Sequence, residues 1–387
     1  MKFYMFHFMP YLHAPLDFRA KGRDTLWMLY PHDYFDPAKC HALYNRYLGE
    51  MELADSLGYD GVCVNEHHQT PHSLMPAPNV MAGAVSARIK NGKILILGRA
   101  LPLVDNPLAV AEEWAMLDNL TAGRIITGMV RGIGIEYHAS GVNPGESVGR
   151  YYEAHDLIKQ AWTRPGPFRF DGKYYQYAYV NPFPRPFQSP HPPIWIPSGG
   201  NPDTIVWAAA PDRKYTYVQF FNAPYESVKK TLLSYRDAAE SHGYDAKPDQ
   251  LAWAVPTYVA DTDEQAINQA RPHIEALFND FMAFSKELLL PPGYTNLAAA
   301  IAISKATPVG GRGGGRTTIE DLLEKGIVHI GSAATVRARL EKARGEIGLG
   351  HVLALLQFGT LPADLTRRNI ELYASDVVQP LRAKYPD

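Results

Sequence analysis

Cysteine is almost absent from this chain of 387 residues, which carries only Cys40 and Cys63. Two thiols cannot build a disulfide framework, and neither stands in metal-ligand spacing with a nearby histidine, so a reducing, cytoplasmic setting is expected. Long apolar runs are missing too, since none approaches the roughly 20 residues that span a bilayer. The opening MKFYMFHFMP lacks the basic region and apolar core of a signal peptide, so neither export nor membrane insertion is expected. Charge of one sign is not in excess: the formal net charge of −2 gives no broad attraction to polyanions, and nucleic acid is not an expected partner. No HExxH helix or facial carboxylate pair is visible. The glycine-bearing RGIGIEY at 131–137 is not followed by the acidic ribose ligand of a dinucleotide fold.

What is present is apolar and aromatic. With 46% hydrophobic residues the chain can bury a large core, and its length suits either two average domains or one α/β barrel with insertions. Short β-rich runs alternate with longer amphipathic ones, the pattern of parallel βαβ units. Strands are expected from Lys2 to Phe8, Gly61 to Val64, Ile94 to Leu97, Ile125 to Val130, Ile194 to Ile196, Tyr215 to Val218, Leu251 to Val259 and Val352 to Gln357. Helices are expected at about Pro37 to Leu57, Ala77 to Arg88, Pro107 to Leu120 and Arg150 to Trp162. Eight such strands predict a (β/α)8 TIM barrel spanning 1–387 as one domain. FRFDGKYYQYAYV alternates around the turn dipeptide Asp171-Gly172 and predicts an inserted β-hairpin at about 167–180. The Pro-rich NPFPRPFQSPHPP reads as an extended surface connection. The stretch 284–326, with GGRGGGR inside it, breaks the rhythm and reads as a mobile lid loop.

In such a barrel the reactive groups gather at the C-terminal ends of the strands. VCVNEHHQTPH sets Glu66, His67 and His68 directly after a buried strand, with His72 just beyond. Adjacent histidines on an extended chain point to opposite faces, so His67 and His68 are poorly placed to share one ion, and no metal is expected. A neutral imidazole suits proton transfer or the holding of an anion beside a reactive intermediate, the role expected of His67, whereas His68 reads as a hydrogen-bonded structural residue. PIWIPSGGNPD is a strand, a Ser198-Gly199-Gly200-Asn201 turn and a helix start, an arrangement that presents backbone N–H groups to an anion. Arg131 and Arg150 stand at neighbouring strand ends, where their guanidinium groups can neutralise a phosphate. The 23 Tyr, 15 Phe and 6 Trp often sit beside polar or Pro-rich stretches, which suggests a lined pocket. His7, Phe8, Tyr151, Trp195 and Phe220 are its candidate walls, and each of these four aromatics is equally readable as core.

NEHH after strand two, LGRALPLVDNPLAVAEEWAMLDNLTAGRIITGMVRG through strands three and four, the FDGKYY hairpin, PHPPIWIPSGG and the terminal LALLQFGTLPADLTRRNIELYASDVVQPLR together resemble the bacterial-luciferase-like flavin monooxygenases. The resemblance runs over almost the whole chain. It implies reduced FMN (FMNH2), delivered by a separate NAD(P)H:flavin reductase, that reacts with O2 to a C4a-(hydro)peroxyflavin and oxidises a small organic substrate; an aromatic or heterocyclic one is expected only from the Tyr and Phe around the mouth. It implies that His67 stands beside that intermediate with Glu66 next to it. It further implies that Gly98 belongs to a strand-three bulge behind the isoalloxazine ring, and that Arg131, Arg150, Ser198, Gly199 and Gly200 bind the phosphate. Luciferase members carry a reactive cysteine near strand four, where this chain has Val130, a departure that argues against light emission. Members usually pair barrels through helices near strands two and three, so a homodimer or homotetramer is expected.

Three alternatives remain open at this level. Related barrels bind a deazaflavin (F420) and transfer hydride without O2. A non-catalytic flavin-binding barrel would have no need of Glu66, His67 and Arg131 together. A metal-dependent hydrolase would declare itself by metal content.

Overall fold

Strands buried on both faces carry apolar residues at consecutive positions, as in GVCV, IITGMV and the first half of KILILGRA. The computed structural model describes residues 1–17, 25–221, 223–284, 286–295 and 316–386. Strands β1 (Lys2–Phe6), β2 (Gly61–Val64), β3 (Lys93–Ala100) and β4 (Ile125–Val130) follow one another, then the pair β5 (Phe168–Asp171) and β6 (Gln176–Val180) intervenes. After it come β7 (Ile194–Ser198), β8 (Thr216–Gln219), β9 (Leu251–Ala260), β10 (His329–Ser332) and β11 (His351–Leu355). Eight of these, β1-β2-β3-β4-β7-β8-β9-β11, pair in parallel, and β11 returns to β1 to close the expected (β/α)8 barrel.

Side chains alternate across the wall. Tyr4, Phe6, Cys63, Leu95, Leu97, Ile126, Trp195, Val218, Ala254 and Leu353 fill the barrel, while Phe3, Met5, Val62, Val64, Ile94 and Ile96 pack outward against the helices. Each fully buried Phe or aliphatic chain contributes about 1.5–3 kcal/mol. The helices start where the sequence supplies an acceptor: Asp36 caps Pro37–Ser56, Asn106 caps Pro107–Leu120, Thr262 caps Asp263–Ala276 and Ser332 caps Ala333–Ile347. None of the helices among the described residues is long and apolar enough to cross a membrane.

Two details differ from the sequence reading, and part of the expected lid lies outside the described residues. The strand β10 was not expected, because four residues, HIGS, show no usable alternation. It pairs with the outer end of β9, His329 beside Thr257 through Ser332 beside Ala260, where β9 has left β11. The buried Asn369 bridges that parting: its Oδ1 accepts from the Val259 N–H at 2.9 Å, and its Nδ2 donates to the carbonyls of Thr257 and Leu356. The β5–β6 hairpin is present, but Asp171-Gly172 does not form a two-residue turn. Residues 172–175 loop around the Glu153 carboxylate, which accepts from the N–H groups of Lys173, Tyr174 and Tyr175 at 2.7–2.8 Å. Of the expected lid, 285 and 296–315 lie outside the described residues, including GGRGGG; its flanks carry the short helices Lys286–Leu289 and Ile319–Glu324.

Candidate active site at the barrel mouth

The mouth is shaped first by β3. Ile96 pairs with Thr127 but Arg99 pairs with Met129, so β3 carries one extra residue against β4. Gly98 lies in that bulge, after a cis Leu97–Gly98 peptide bond. A Cβ at Gly98 would stand 2.8 Å from the Gly128 carbonyl oxygen and 2.9 Å from Val130, so only glycine fits. Just beyond the bulge the Ala100 N–H and the Arg99 Nη1 both donate to Glu66, at 2.8 and 2.7 Å. His68 Nε2 adds a third contact at 2.8 Å. Burial alone would raise the Glu66 carboxyl, yet the His68 bond, the Arg99 charge and the Ala100 N–H together hold it below its ordinary value. Glu66 is therefore a buried anion that ties the end of β2 to the bulge.

His67 turns the other way, as alternation along an extended chain requires. Its Nδ1 lies 3.0 Å from Glu136 Oε1, while Glu136 Oε2 accepts from the Ile133 N–H at 3.0 Å. A carboxylate can only accept, so Nδ1 carries the hydrogen and Nε2 is left for a reacting partner. Trp27 stands edge-on to the imidazole at 5.1 Å, with Phe8 at 6.0 Å and His72 at 5.3 Å. His72 is itself enclosed by Phe8 and Trp27, and burial pushes its imidazole well below the ordinary range. Among the described residues its Nδ1 has no partner.

Across the mouth, β7 ends in the Ser198–Asn201 turn. Gly200 has φ +96°, a left-handed conformation that favours glycine, and its N–H donates to Tyr217 Oη at 3.2 Å. Asn201 accepts from the Thr204 N–H and so caps the helix Pro202–Ala208. A side chain at Gly199 would meet nothing within 4 Å. Beside the turn, the buried Oε1 of Gln219 finds no partner among the described residues and would lie 3.9 Å from a Cβ on Gly200. Arg131 stacks on the Tyr294 ring at 4.0 Å and donates to the Tyr294 carbonyl. The Tyr152 hydroxyl is raised above its ordinary value chiefly by burial, with smaller effects from the charges of Asp203 and Arg131.

Residues 39–349 match the luciferase-like monooxygenase family. This chain belongs to that family. It is 28% identical over 344 residues to the uncharacterized protein y4wF of Sinorhizobium fredii, covering 88% of this chain and 92% of the relative. It is 26% identical over 247 residues to the oxygenase component of the flavin-dependent trigonelline monooxygenase of Acinetobacter baylyi, covering 63% of this chain and 67% of that one. In fold it superimposes on the FMN complex of the oxygenating constituent of 3,6-diketocamphane monooxygenase from Pseudomonas putida, with TM-score 0.73, 18% identity and 98% of each chain covered. An F420-dependent secondary alcohol dehydrogenase shares the fold at TM-score 0.65 and 17% identity, over 97% of this chain and 98% of that one.

In this luciferase-like monooxygenase the expected pocket walls divide. Phe8 and Phe220 lie inside the upper barrel, each against Phe6, at 4.8 and 6.4 Å. His7 faces outward, fully buried, with Nδ1 accepting from the Met9 N–H and Nε2 bonded to Glu50. It belongs to the packing of the helix Pro37–Ser56. Tyr151 also lies outside the barrel wall and donates to the Met129 carbonyl. Trp195 is inside but low, against Tyr4 and against His351 at the start of β11. Arg150 donates to the carbonyls of Pro102 and Val104 and sits over Tyr175, so it braces the loop after β3 against the hairpin. Sequence reasoning missed Trp27, Glu136 and Tyr152. Glu136 is 69 positions from His67 and sits in RGIGIEY, which had been judged only as a dinucleotide motif. Its place after β4 was the signal that could have found it.

Proposed function

We propose that this luciferase-like monooxygenase is a two-component oxygenase that uses reduced FMN and O2 on a small ring-bearing organic substrate. A separate NAD(P)H:flavin reductase supplies the reduced flavin, and a cytoplasmic setting suits its two unpaired, buried thiols. The single observation that carries the reading is the imidazole of His67, oriented by buried Glu136 and enclosed by Trp27 and Phe8 at the end of β2. The residues present fit a flavin: the glycine-only bulge at Gly98 offers a side-chain-free floor, and the orphaned amide oxygen of Gln219 borders the Ser198–Asn201 turn. The phosphate would be held by the main chain of Ser198, Gly199 and Gly200 with Arg131, and Asn201 fixes the turn as a helix cap.

When bound, reduced flavin supplies the electrons that activate O2. The protein's part is shelter and proton control. Glu136 fixes the tautomer of His67, so Nε2 is the acceptor that can take up a proton and, from the imidazolium, return it to the oxygen being reduced. Glu66 acts as a positioning residue, holding the bulge and the end of β2 in register through Arg99 and Ala100. Phe8, Trp27 and Phe220 exclude water and offer flat apolar faces, which supports an aromatic or heterocyclic substrate, in keeping with the trigonelline relative. The apolar residues exposed on the neighbouring helices Pro78–Arg88 and Pro107–Leu120, namely Val80, Met116 and Leu120, support pairing of two barrels through that face.

The test is reductase-coupled oxygen uptake with FMN across a panel of heterocycles and ketones. Flavin-dependent uptake with product formation is expected. His67→Ala should retain FMN binding and release more peroxide; unchanged coupling refutes the role given to His67. The shared fold of the F420-dependent dehydrogenase favours a second reading, hydride transfer without O2. Substrate turnover with reduced F420 under anaerobic conditions would establish it in place of the first.

A further inference from the structure

A second concavity involves none of the residues of the mouth. Its volume is about 250 Å³, and it lies between the start of the helix Tyr225–Ser241, the segment after Ile319–Glu324 and the helix Ala333–Ile347. Three cations line it, Lys325, Arg339 and Lys342, together with His329, and the carboxylates of Glu226 and Glu324 also border it. Among the described residues, none of the three cations has a carboxylate within ion-pair distance, whereas nearby Lys229 is matched to Glu346 at 2.9 Å.

Arg339 is held in place by the main chain: it donates to the Val328 carbonyl at 2.6 Å. Burial keeps this guanidinium below its ordinary value, with the charge of Asp263 acting in the opposite direction. His329 is 2% exposed and stands edge-on to Trp253 at 4.9 Å. Among the described residues its Nδ1 has no partner, a costly state for a buried polar atom. Burial, and then the charge of Arg339, push this imidazole down to about 3, so it is neutral and free to donate one N–H. The 17-residue helix Tyr225–Ser241 begins here with no side-chain cap, its positive end facing the same space; the Tyr225 N–H is taken by the Lys325 carbonyl at 2.9 Å.

We propose that this pocket binds a phosphate-sized anion, with Arg339, Lys342 and Lys325 as the charge partners and His329 as a neutral donor. Three cations against two carboxylates leave an excess of one positive charge, which favours an anion over a cation. The volume lies below the roughly 300–1,000 Å³ of pockets that take whole cofactors or drug-sized ligands, so a free phosphate or a small phosphate monoester fits and a flavin does not.

The test is calorimetric titration of the full chain with inorganic phosphate and, in a parallel arm, with glycerol 3-phosphate, each with and without excess FMN. Saturable binding that persists in the presence of FMN is expected. Tighter binding of the ester than of phosphate would identify a phosphate monoester as the source, and the reverse order free phosphate. Lys342→Gln, at an exposed position whose ammonium lies over the Tyr225 ring, and Arg339→Gln should each weaken binding by about tenfold, the loss of one charge-assisted hydrogen bond. Absence of saturation by about 10 mM overturns the assignment. Binding that survives both substitutions, or that disappears when FMN is present, overturns it as well, since the phosphate would then sit elsewhere.

Discussion

Replacing Glu136 by Gln probes the orienting contact on which the proposed chemistry rests. The carboxylate is 3% exposed and accepts two hydrogen bonds, from His67 Nδ1 and from the Ile133 N–H, each at 3.0 Å. Glutamine has the same shape, so no cavity opens, but it has only one acceptor oxygen for two donors. A hydrogen bond to a charged group contributes about 1.5–3 kcal/mol and a neutral one about 0.5–1.5 kcal/mol, so the exchange costs His67 about 1–1.5 kcal/mol of orientation and charge support. On the transition-state scale of 1.36 kcal/mol per decade this is a loss of about tenfold in product formation. The assay is reductase-coupled turnover with product and peroxide measured together, and FMN affinity followed by fluorescence quenching. Product should fall about tenfold while peroxide rises to account for the oxygen consumed, with FMN affinity changed less than about twofold. Wild-type coupling in Glu136→Gln alongside uncoupled His67→Ala would refute the claim that Glu136 orients the imidazole.

Arg131→Gln should weaken FMN by about tenfold or more and leave riboflavin unchanged, since only the former carries the phosphate; fluorescence titration with both flavins checks it, and equal losses would point to a collapsed loop at Tyr294 instead. His68→Gln should flatten the pH dependence of stability. His68 is raised, first by its bond to Glu66, so its contribution is full below its unfolded value of about 6.5 and fades as pH rises through the folded one; the depressed Glu66 contributes above its unfolded value and loses support as pH falls through the folded one. Melts at pH 6 and pH 9 should therefore differ by less in the variant, by up to about 1 kcal/mol. Met116→Lys with Leu120→Lys should shift the protein toward monomer in sedimentation without lowering its melting temperature, and an unchanged oligomer would exclude that face as the contact.

The fold was legible because barrel strands declare themselves as short apolar runs at regular intervals, and all eight lie where the residues imply. Their ends were less so. β3 runs on to Ala100 because the bulge at Gly98 lets pairing resume, and no local pattern announces an extra residue. The site was half legible. Residues that follow a strand directly, such as Glu66, His67 and Ser198, are found by position along the chain. Whether a side chain enters the barrel or leaves it is a matter of parity: His7 and Tyr151 were assigned to the mouth and pack outside it, because strands and helices that are apolar on several faces hide which face is inward. Height in the barrel is equally hidden, as Trp195 demonstrates beside His351. Glu136 and Trp27 could not be found from neighbours in sequence, since both reach His67 only through the closed fold.

Where β9 parts from β11, one carboxamide stands in for a peptide unit. Asn369 offers an acceptor to one strand and donors to both, so the cylinder stays sealed along a stretch that has no ladder of its own. Aspartate at 369 would lose the donors and leucine both functions, leaving main-chain groups of Val259, Thr257 and Leu356 dry and unmatched. The integrity of the enclosure thus hangs on a residue of the last third of the chain, far from any chemistry, and substitutions there would be felt as a leaking wall.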